Sequence, residues 1–335
     1  MSLFDMRLVS ATEYYAALLQ RIPTAKNRIV IHAMTILWSE TTEKIFTELL
    51  AALERGVEVR IVGDIYSKFY ANTPKLIRAR DHHKWAYTRA LNTRLEAEGA
   101  HVKYIGKLGI NPFKGRTHSK ITLIDNVAYT FGGVNFTNGS FHNHDYMLQI
   151  TNSEICDELY RLIMAIEQAK QPMADIIKAI SPTATMLFDG GSPGTSAIYD
   201  KACEVVAQAR KVYYVSQMCP SGKLAKLITA TENECYFIRY SQADPLANLA
   251  LVVDQKRYGI TNSYTGKQYI HAKFILCEGK DGSRHIISGS NNFSWRGIAY
   301  GTKEIAVHST DPNLWATFYN YMQREIISET KTNKA

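Results

Sequence analysis

Two histidines, two lysines and two asparagines recur in matched frames along this chain. His118-Ser-Lys120 is followed by Asp125, Gly132, Gly133 and Asn135, and His271-Ala-Lys273 by Glu278, Gly289, Ser290 and Asn292. Imidazole titrates near pH 6.5, so one ring can be neutral and nucleophilic while its twin carries a proton. A neutral imidazole attacking phosphorus forms a phosphohistidine, and the protonated one delivers its proton to the departing alkoxide. The second ring then serves as base on the incoming water or alcohol. Ammonium and amide groups stabilise charge on the non-bridging oxygens, the main electrostatic task in phosphoryl transfer. Residues of these types could hold and attack a phosphodiester with no metal.

A bare H-x-K is weak evidence, because His82-His83-Lys84 is a third copy. That copy lacks an apolar strand context and a following Gly-x-x-Asn, and is read as chance. The extended frame sets the other two apart. His118 and Asn135 are 17 positions apart and His271 and Asn292 are 21, an excess of four that fits a longer hairpin turn over Gly279–Ser283. A strand through each motif is expected to set His118 beside Lys120, and His271 beside Lys273, above an apolar base.

The elements that must position these residues also repeat. Ala16–Ala33 reads as a helix running into an apolar strand, and Ala197–Gln217 reads the same way. Amphipathic helices are expected over Glu43–Arg55 and Gly222–Thr231, then β-rich runs from Val57 and from Cys235. The order implies duplicated α/β lobes, 1–172 and 183–330.

Composition narrows the class. The chain has 335 residues with 46% hydrophobic content, enough to bury a full core in each half. No apolar run approaches the roughly 18 residues a membrane span needs. The N-terminus MSLFDMRLVS has neither a basic leader nor an apolar core, so a cytoplasmic location is expected, with peripheral contact at the membrane. Cys156, Cys203, Cys219, Cys235 and Cys277 form no C-x-x-C pair and no metal-ligand spacing, and are expected to be buried free thiols. A net charge of +8 suits a polyanion, either an anionic bilayer or a nucleic acid backbone.

HSKITLIDNVAYTFGGVN resembles the H-x-K-x4-D-x6-G-[GS]-x-N signature of the phospholipase D superfamily, and HAKFILCEGKDGSRHIISGSNNF resembles its second copy. The resemblance covers nearly the whole chain. It implies an α/β fold of two similar lobes, mixed β-sheets flanked by helices, packed as a pseudo-dimer with one active site between them. It also implies a two-step, metal-independent reaction through a phosphohistidine, with His118, Lys120, Asn135, His271, Lys273 and Asn292 as the site. Asp145 and Glu304, the carboxylates that follow the two motifs, would accept a hydrogen bond from a histidine and fix its tautomer. Asp125 and Glu278 would stabilise the lobes, Glu278 standing where the family usually has aspartate. Gly132-Gly133, where the second copy has Gly289-Ser290, is similar to the phosphatidyltransferase branch that includes cardiolipin synthases. By analogy His118 would be the nucleophile and His271 the acid, then base, although the near-symmetry allows the roles to be exchanged.

Specificity is expected in about thirty extra residues of the first lobe, at about 65–107. Lys75, Arg78, Arg80, Lys84, Arg89 and Arg94 are interleaved there with Tyr66, Phe69, Tyr70, Trp85 and Tyr87. Such a mixture suits a membrane interface or single-stranded nucleic acid. Arg116, Lys114 and Trp85 are candidate substrate contacts. The approach Gly109–Arg116 resembles that of cardiolipin synthase-like proteins and tilts the balance toward lipid. A phospholipid substrate met at an anionic membrane is therefore the leading expectation, with no cofactor and no obligate protein partner. A nuclease of the same superfamily is the alternative, and a non-catalytic anion-binding protein is the reading from another class.

Overall fold

The structure, a computed structural model, describes residues 5–72, 82–107, 109–111, 113–243 and 245–332. It divides into two compact units. The first comprises Met1–His142 and Tyr146–Met173, the second Asn143–Asp145 and Ala174–Ala335.

The first unit is built on a seven-stranded mixed sheet of order β1-β7-β6-β5-β2-β3-β4. Its strands are β1 (Met6–Ser10), β2 (Arg28–Ala33), β3 (Glu58–Asp64), β4 (His101–Ile105), β5 (Ile121–Ile124), β6 (Val127–Thr130) and β7 (Tyr146–Thr151). β2, β3 and β4 run parallel and the remaining pairs antiparallel. The helices are α1 (Ala11–Arg21), α2 (Glu40–Glu54), α3 (Tyr66–Asn72), α4 (His82–Ala97) and α5 (Ser153–Gln168). Side-chain alternation explains why β2 reads as a continuous apolar run. Ile29, Ile31 and Ala33 pack into a core with Leu18 of α1 and Leu49 of α2. Val30 and His32 occupy the opposite face and are equally buried. α1 starts at a capping box, Ser10 Oγ accepting from Glu13 N–H and Glu13 Oε2 accepting from Ser10 N–H.

The second unit carries a seven-stranded sheet of order β11-β10-β12-β13-β14-β9-β8. Its strands are β8 (Ile176–Ser181), β9 (Ala184–Gly190), β10 (Ala209–Val215), β11 (Glu232–Tyr236), β12 (Phe274–Gly279), β13 (Arg284–Gly289) and β14 (Lys303–Ser309). Six strands take the same order in both units, β1-β7-β6-β5-β2-β3 matching β9-β14-β13-β12-β10-β11. β4 is the seventh strand at one edge of the first sheet, and β8 is the seventh at the opposite edge of the second. α6 (Ala197–Gln208) and α7 (Lys223–Thr229) stand where α1 and α2 stand in the first unit, and α8 (Pro245–Tyr258), α9 (Trp295–Tyr300), α10 (Pro312–Tyr321) and α11 (Ser328–Thr332) follow.

One expectation needs correction. The strand expected from Cys235 begins earlier, at Glu232, because Lys211 of the parallel neighbour β10 bridges Glu232 at 2.9 Å and Glu234 at 3.0 Å. Cross-strand ion pairs therefore make a strand of residues that look polar. The described parts of the insert form α3, α4 and β4. Trp85 packs edge-on to Tyr104 and Tyr87 packs on Trp38, while Arg89 and Arg94 are exposed. Lys75, Arg78 and Arg80 lie outside the described residues.

All five cysteines are buried and free. Among the described residues, no helix is long and apolar enough to cross a membrane, and no group of three or more acidic, histidine or cysteine side chains could hold a metal ion.

Candidate active site

The motif histidines and lysines lie in the segments leading into β5 and β12 rather than in the strands themselves. His118 and His271 are half-buried, whereas Lys120 and Lys273 are almost wholly inaccessible. Lys120 Nζ donates to the His118 carbonyl at 2.5 Å, and Lys273 Nζ donates to the His271 carbonyl in the same way. Each lysine thus braces the backbone of its own histidine. Burial pulls the Lys273 pKa down to about 8 even though Asp145 and Glu304 pull it upward.

Beneath the first motif, Ser119 faces inward and its hydroxyl lies 2.9 Å from His32 Nε2, which also meets the Thr117 hydroxyl at 3.1 Å. The other nitrogen of His32 faces the Val62 carbonyl at 3.1 Å, and burial lowers the ring's pKa to about 4. A neutral imidazole therefore anchors this approach, and it belongs to the packing.

The glycines that follow are fixed by close backbone approach. A Cβ on Gly132 would lie 2.0 Å from the Tyr146 carbonyl oxygen, and one on Gly289 would lie 2.4 Å from that of Ile305. Tyr146 and Ile305 therefore hold matched places, and so do the carboxylates just before them, Asp145 and Glu304. Asp145 lies 2.7 Å from Nδ1 of His271, the histidine of the downstream motif. An Nδ1–H bonded to a carboxylate leaves the lone pair of the neutral ring on Nε2. Glu304 accepts from the Ser290 hydroxyl at 2.5 Å and from Thr302 at 3.3 Å, placing Ser290 within a buried polar group.

Asn135 Oδ1 accepts from the Thr35 N–H at 3.2 Å. Asn292 Nδ2 is 3.3 Å from Gln217 Oε1, and Gln217 Nε2 is 2.8 Å from the Tyr269 hydroxyl. The ring of Tyr269 stacks near His271 with centroids 6.5 Å apart.

Asp125 and Glu278 stand at the far ends of the motif strands. Asp125 accepts from the backbone N–H groups of Lys26, Asn27 and Arg28 at 3.0, 2.8 and 3.1 Å. Burial would raise its pKa, but these donors outweigh it and the pKa is lowered. Glu278 pairs with Arg210. Arg116, expected to meet substrate, is instead buried: its guanidinium bonds Asp64 at 2.8 Å, the Lys107 carbonyl at 2.6 Å and the Lys114 carbonyl at 3.1 Å. Such a pair fixes the approach to the motif, and losing either partner would strand a buried charge. Lys114 is exposed in a turn, and Trp85 is committed to Tyr104.

Gln217, Tyr269, His144 and Glu329 were not found by sequence reasoning. His144 Nε2 is 2.8 Å from Glu329 Oε2, and its backbone carbonyl accepts from the N–H groups of His271 and Ala272 at 2.9 and 2.8 Å. One signal was present for Gln217. It stands two residues past the end of β10, as Thr35 stands two residues past β2.

Residues 18–166 match the family model described as the cardiolipin synthase, phospholipase D-like domain. In fold the chain is similar to phosphatidylserine synthase from Haemophilus influenzae Rd KW20, with a TM-score of 0.72 and 14% identity over 97% of this chain and 88% of that one. It is also similar to polyphosphate kinase from Porphyromonas gingivalis, with a TM-score of 0.59 and 13% identity over 94% of this chain and 49% of that one. No curated protein gives a significant sequence match. Residues 18–166 thus match a phospholipase D-like domain, and the two units share one mixed-sheet topology.

Proposed function

We propose that this protein is a phosphodiesterase or phosphatidyltransferase that acts on glycerophospholipids through a phosphohistidine, without a metal. The carrying observation is the 2.7 Å contact between Asp145 and His271 Nδ1, which suits a ring that alternates between proton donor and acceptor. A carboxylate at Nδ1 stabilises the imidazolium that acid catalysis requires.

In this reading the neutral imidazole of His118 attacks phosphorus and a P–N bond forms. The P–O bond to the leaving group breaks, and His271 Nε2 gives its proton to that alkoxide. Water or an alcohol then loses its proton to His271 and attacks phosphorus, the P–N bond breaks, and both rings return to their starting states. Lys120, Lys273, Asn135 and Asn292 stabilise the phosphoryl oxygens. The domain model over residues 18–166 and the fold shared with a phosphatidylserine synthase favour a lipid phosphodiester.

The test uses vesicles of phosphatidylglycerol and of cardiolipin, and separately single-stranded and duplex DNA, all in EDTA, with His118→Ala and His271→Ala alongside. Headgroup release or exchange that both substitutions abolish supports the proposal. Cleavage of DNA with no action on either lipid would replace it with a nuclease, and activity lost on chelation would overturn the metal-free route.

A further inference from the structure

The two motif asparagines are held differently, and the difference leaves one buried atom without a partner. Asn135 uses its Oδ1, which accepts from Thr35 N–H at 3.2 Å, so its Nδ2 is the group turned to other partners. Asn292 uses its Nδ2, donated to Gln217 Oε1 at 3.3 Å, and its Oδ1 is buried with no hydrogen-bond partner. A buried orphan acceptor has lost its water and gained no partner in return. An acceptor is also the wrong group to offer a phosphoryl oxygen.

Rotating two amides by a half-turn removes both problems, and amide orientation is fixed by the network around it. The Tyr269 hydroxyl then donates to Gln217 Oε1 across the 2.8 Å contact, and Gln217 Nε2 donates to Asn292 Oδ1. Asn292 Nδ2 takes the orphan's place as a donor that needs an anionic oxygen. The arrangement becomes the equivalent of Asn135, with Gln217 doing by side chain what Thr35 does by backbone at the matched position. The main chain of Asn292 is held independently, its carbonyl accepting from Tyr214 at 3.1 Å and Ser216 at 3.2 Å, so only the side chain needs orienting.

We propose that Tyr269 and Gln217 form a relay that turns the Asn292 amide so that its N–H faces a non-bridging phosphoryl oxygen of the substrate. Gln217 is a positioning residue for the reaction, and the inference rests on the proposed phosphodiester chemistry.

The experiment measures kcat and KM on bis(p-nitrophenyl) phosphate from pH 5 to 9, with melting temperature, for wild type, Gln217→Glu, Gln217→Met, Tyr269→Phe and His271→Ala. An ionised carboxyl only accepts, so Gln217→Glu would hold Asn292 in the wrong orientation. Its kcat at pH 8 is expected to fall about 10²-fold relative to wild type, the scale for one lost donor to a developing charge, with KM changing little. Protonation restores a donor to the introduced group, so the deficit relative to wild type at the same pH should shrink at least tenfold toward pH 5. Gln217→Met, which carries neither donor nor charge, should lose about tenfold at every pH, and Tyr269→Phe several-fold, all with melting temperatures near wild type.

Wild-type kcat in Gln217→Glu or Gln217→Met, or a deficit in Gln217→Glu that pH does not relieve, would overturn the relay. A loss that tracks a lowered melting temperature would do so too. A His271→Ala protein as active as wild type would instead overturn the underlying chemistry, so the two failures are told apart.

Discussion

Lys273 is fully buried, and removal from water pulls its pKa from 10.5 to about 8 against the upward pull of Asp145 and Glu304. Between those two values the unfolded chain binds a proton that the folded chain does not, so stability rises with pH across that window. Urea denaturation of wild type and Lys273→Met at pH 7 and 9.5 should show wild type gaining stability relative to the variant at the higher pH. Activity should move the other way, declining as pH rises through about 8, and Lys273→Met should lose about 10²-fold in kcat. Asp145→Asn keeps the shape of its side chain but loses the carboxylate beside His271 Nδ1. Its kcat is expected to fall by 10²-fold or more, on the order of the general acid–base contribution, with circular dichroism unchanged. The residues that carry these predictions were legible in the sequence because type and spacing repeat. Their environment was not: burial of both lysines comes from how each segment enters its sheet, and Arg116 proved structural because Asp64, at the end of a distant strand, claims its guanidinium.

At the scale of elements, each motif glycine marks where one strand end presses on the next. Gly132→Ala and Gly289→Ala would each place a methyl group against a carbonyl oxygen, at 2.0 and 2.4 Å. Forced overpacking of this kind costs about 1–3 kcal/mol or more, and thermal unfolding should show both variants lowered. The C-terminal helix α11 has a matching part in the second unit. Glu329 accepts from Tyr264 at 2.7 Å and from the N–H groups of Lys267 and Gln268 at 2.8 and 3.0 Å, besides meeting His144. Burial alone would raise its pKa, but these donors hold it near 2, against the usual 4.5. That stabilisation is present above pH 4.5 and is lost as pH falls toward 2. Glu329→Gln should therefore be less stable than wild type by about 1–3 kcal/mol at pH 7, with the gap closing in acid. His144 and Glu329 are 185 positions apart and Gln217 and Asn292 are 75, so no local pattern could have joined them. The duplicated α/β lobes, by contrast, followed from two copies of one helix–strand pattern, and the four-residue excess in the second motif is the β12–β13 turn, where Gly282 takes φ 83° in place of the shorter turn at Asp125.

For the whole molecule, duplication supplies two His/Lys/Asn sets in one chain, and a net charge of +8 favours anionic surfaces. Association with phosphatidylglycerol vesicles in a flotation assay should weaken at least tenfold between 50 and 500 mM salt, because screening shortens the reach of exposed charge. Salt-independent association would point to apolar insertion instead. The central claim is that His118 carries the phosphoryl group while His271 moves the proton. Bis(p-nitrophenyl) phosphate tests it directly, because its leaving group departs without a proton while hydrolysis of the adduct still needs the base. After an alkaline quench, mass spectrometry of His271→Ala should find a substrate-derived phosphoryl adduct on His118. His118→Ala should show no adduct. An adduct on any other residue, or turnover by His118→Ala at the wild-type rate, would contradict the account.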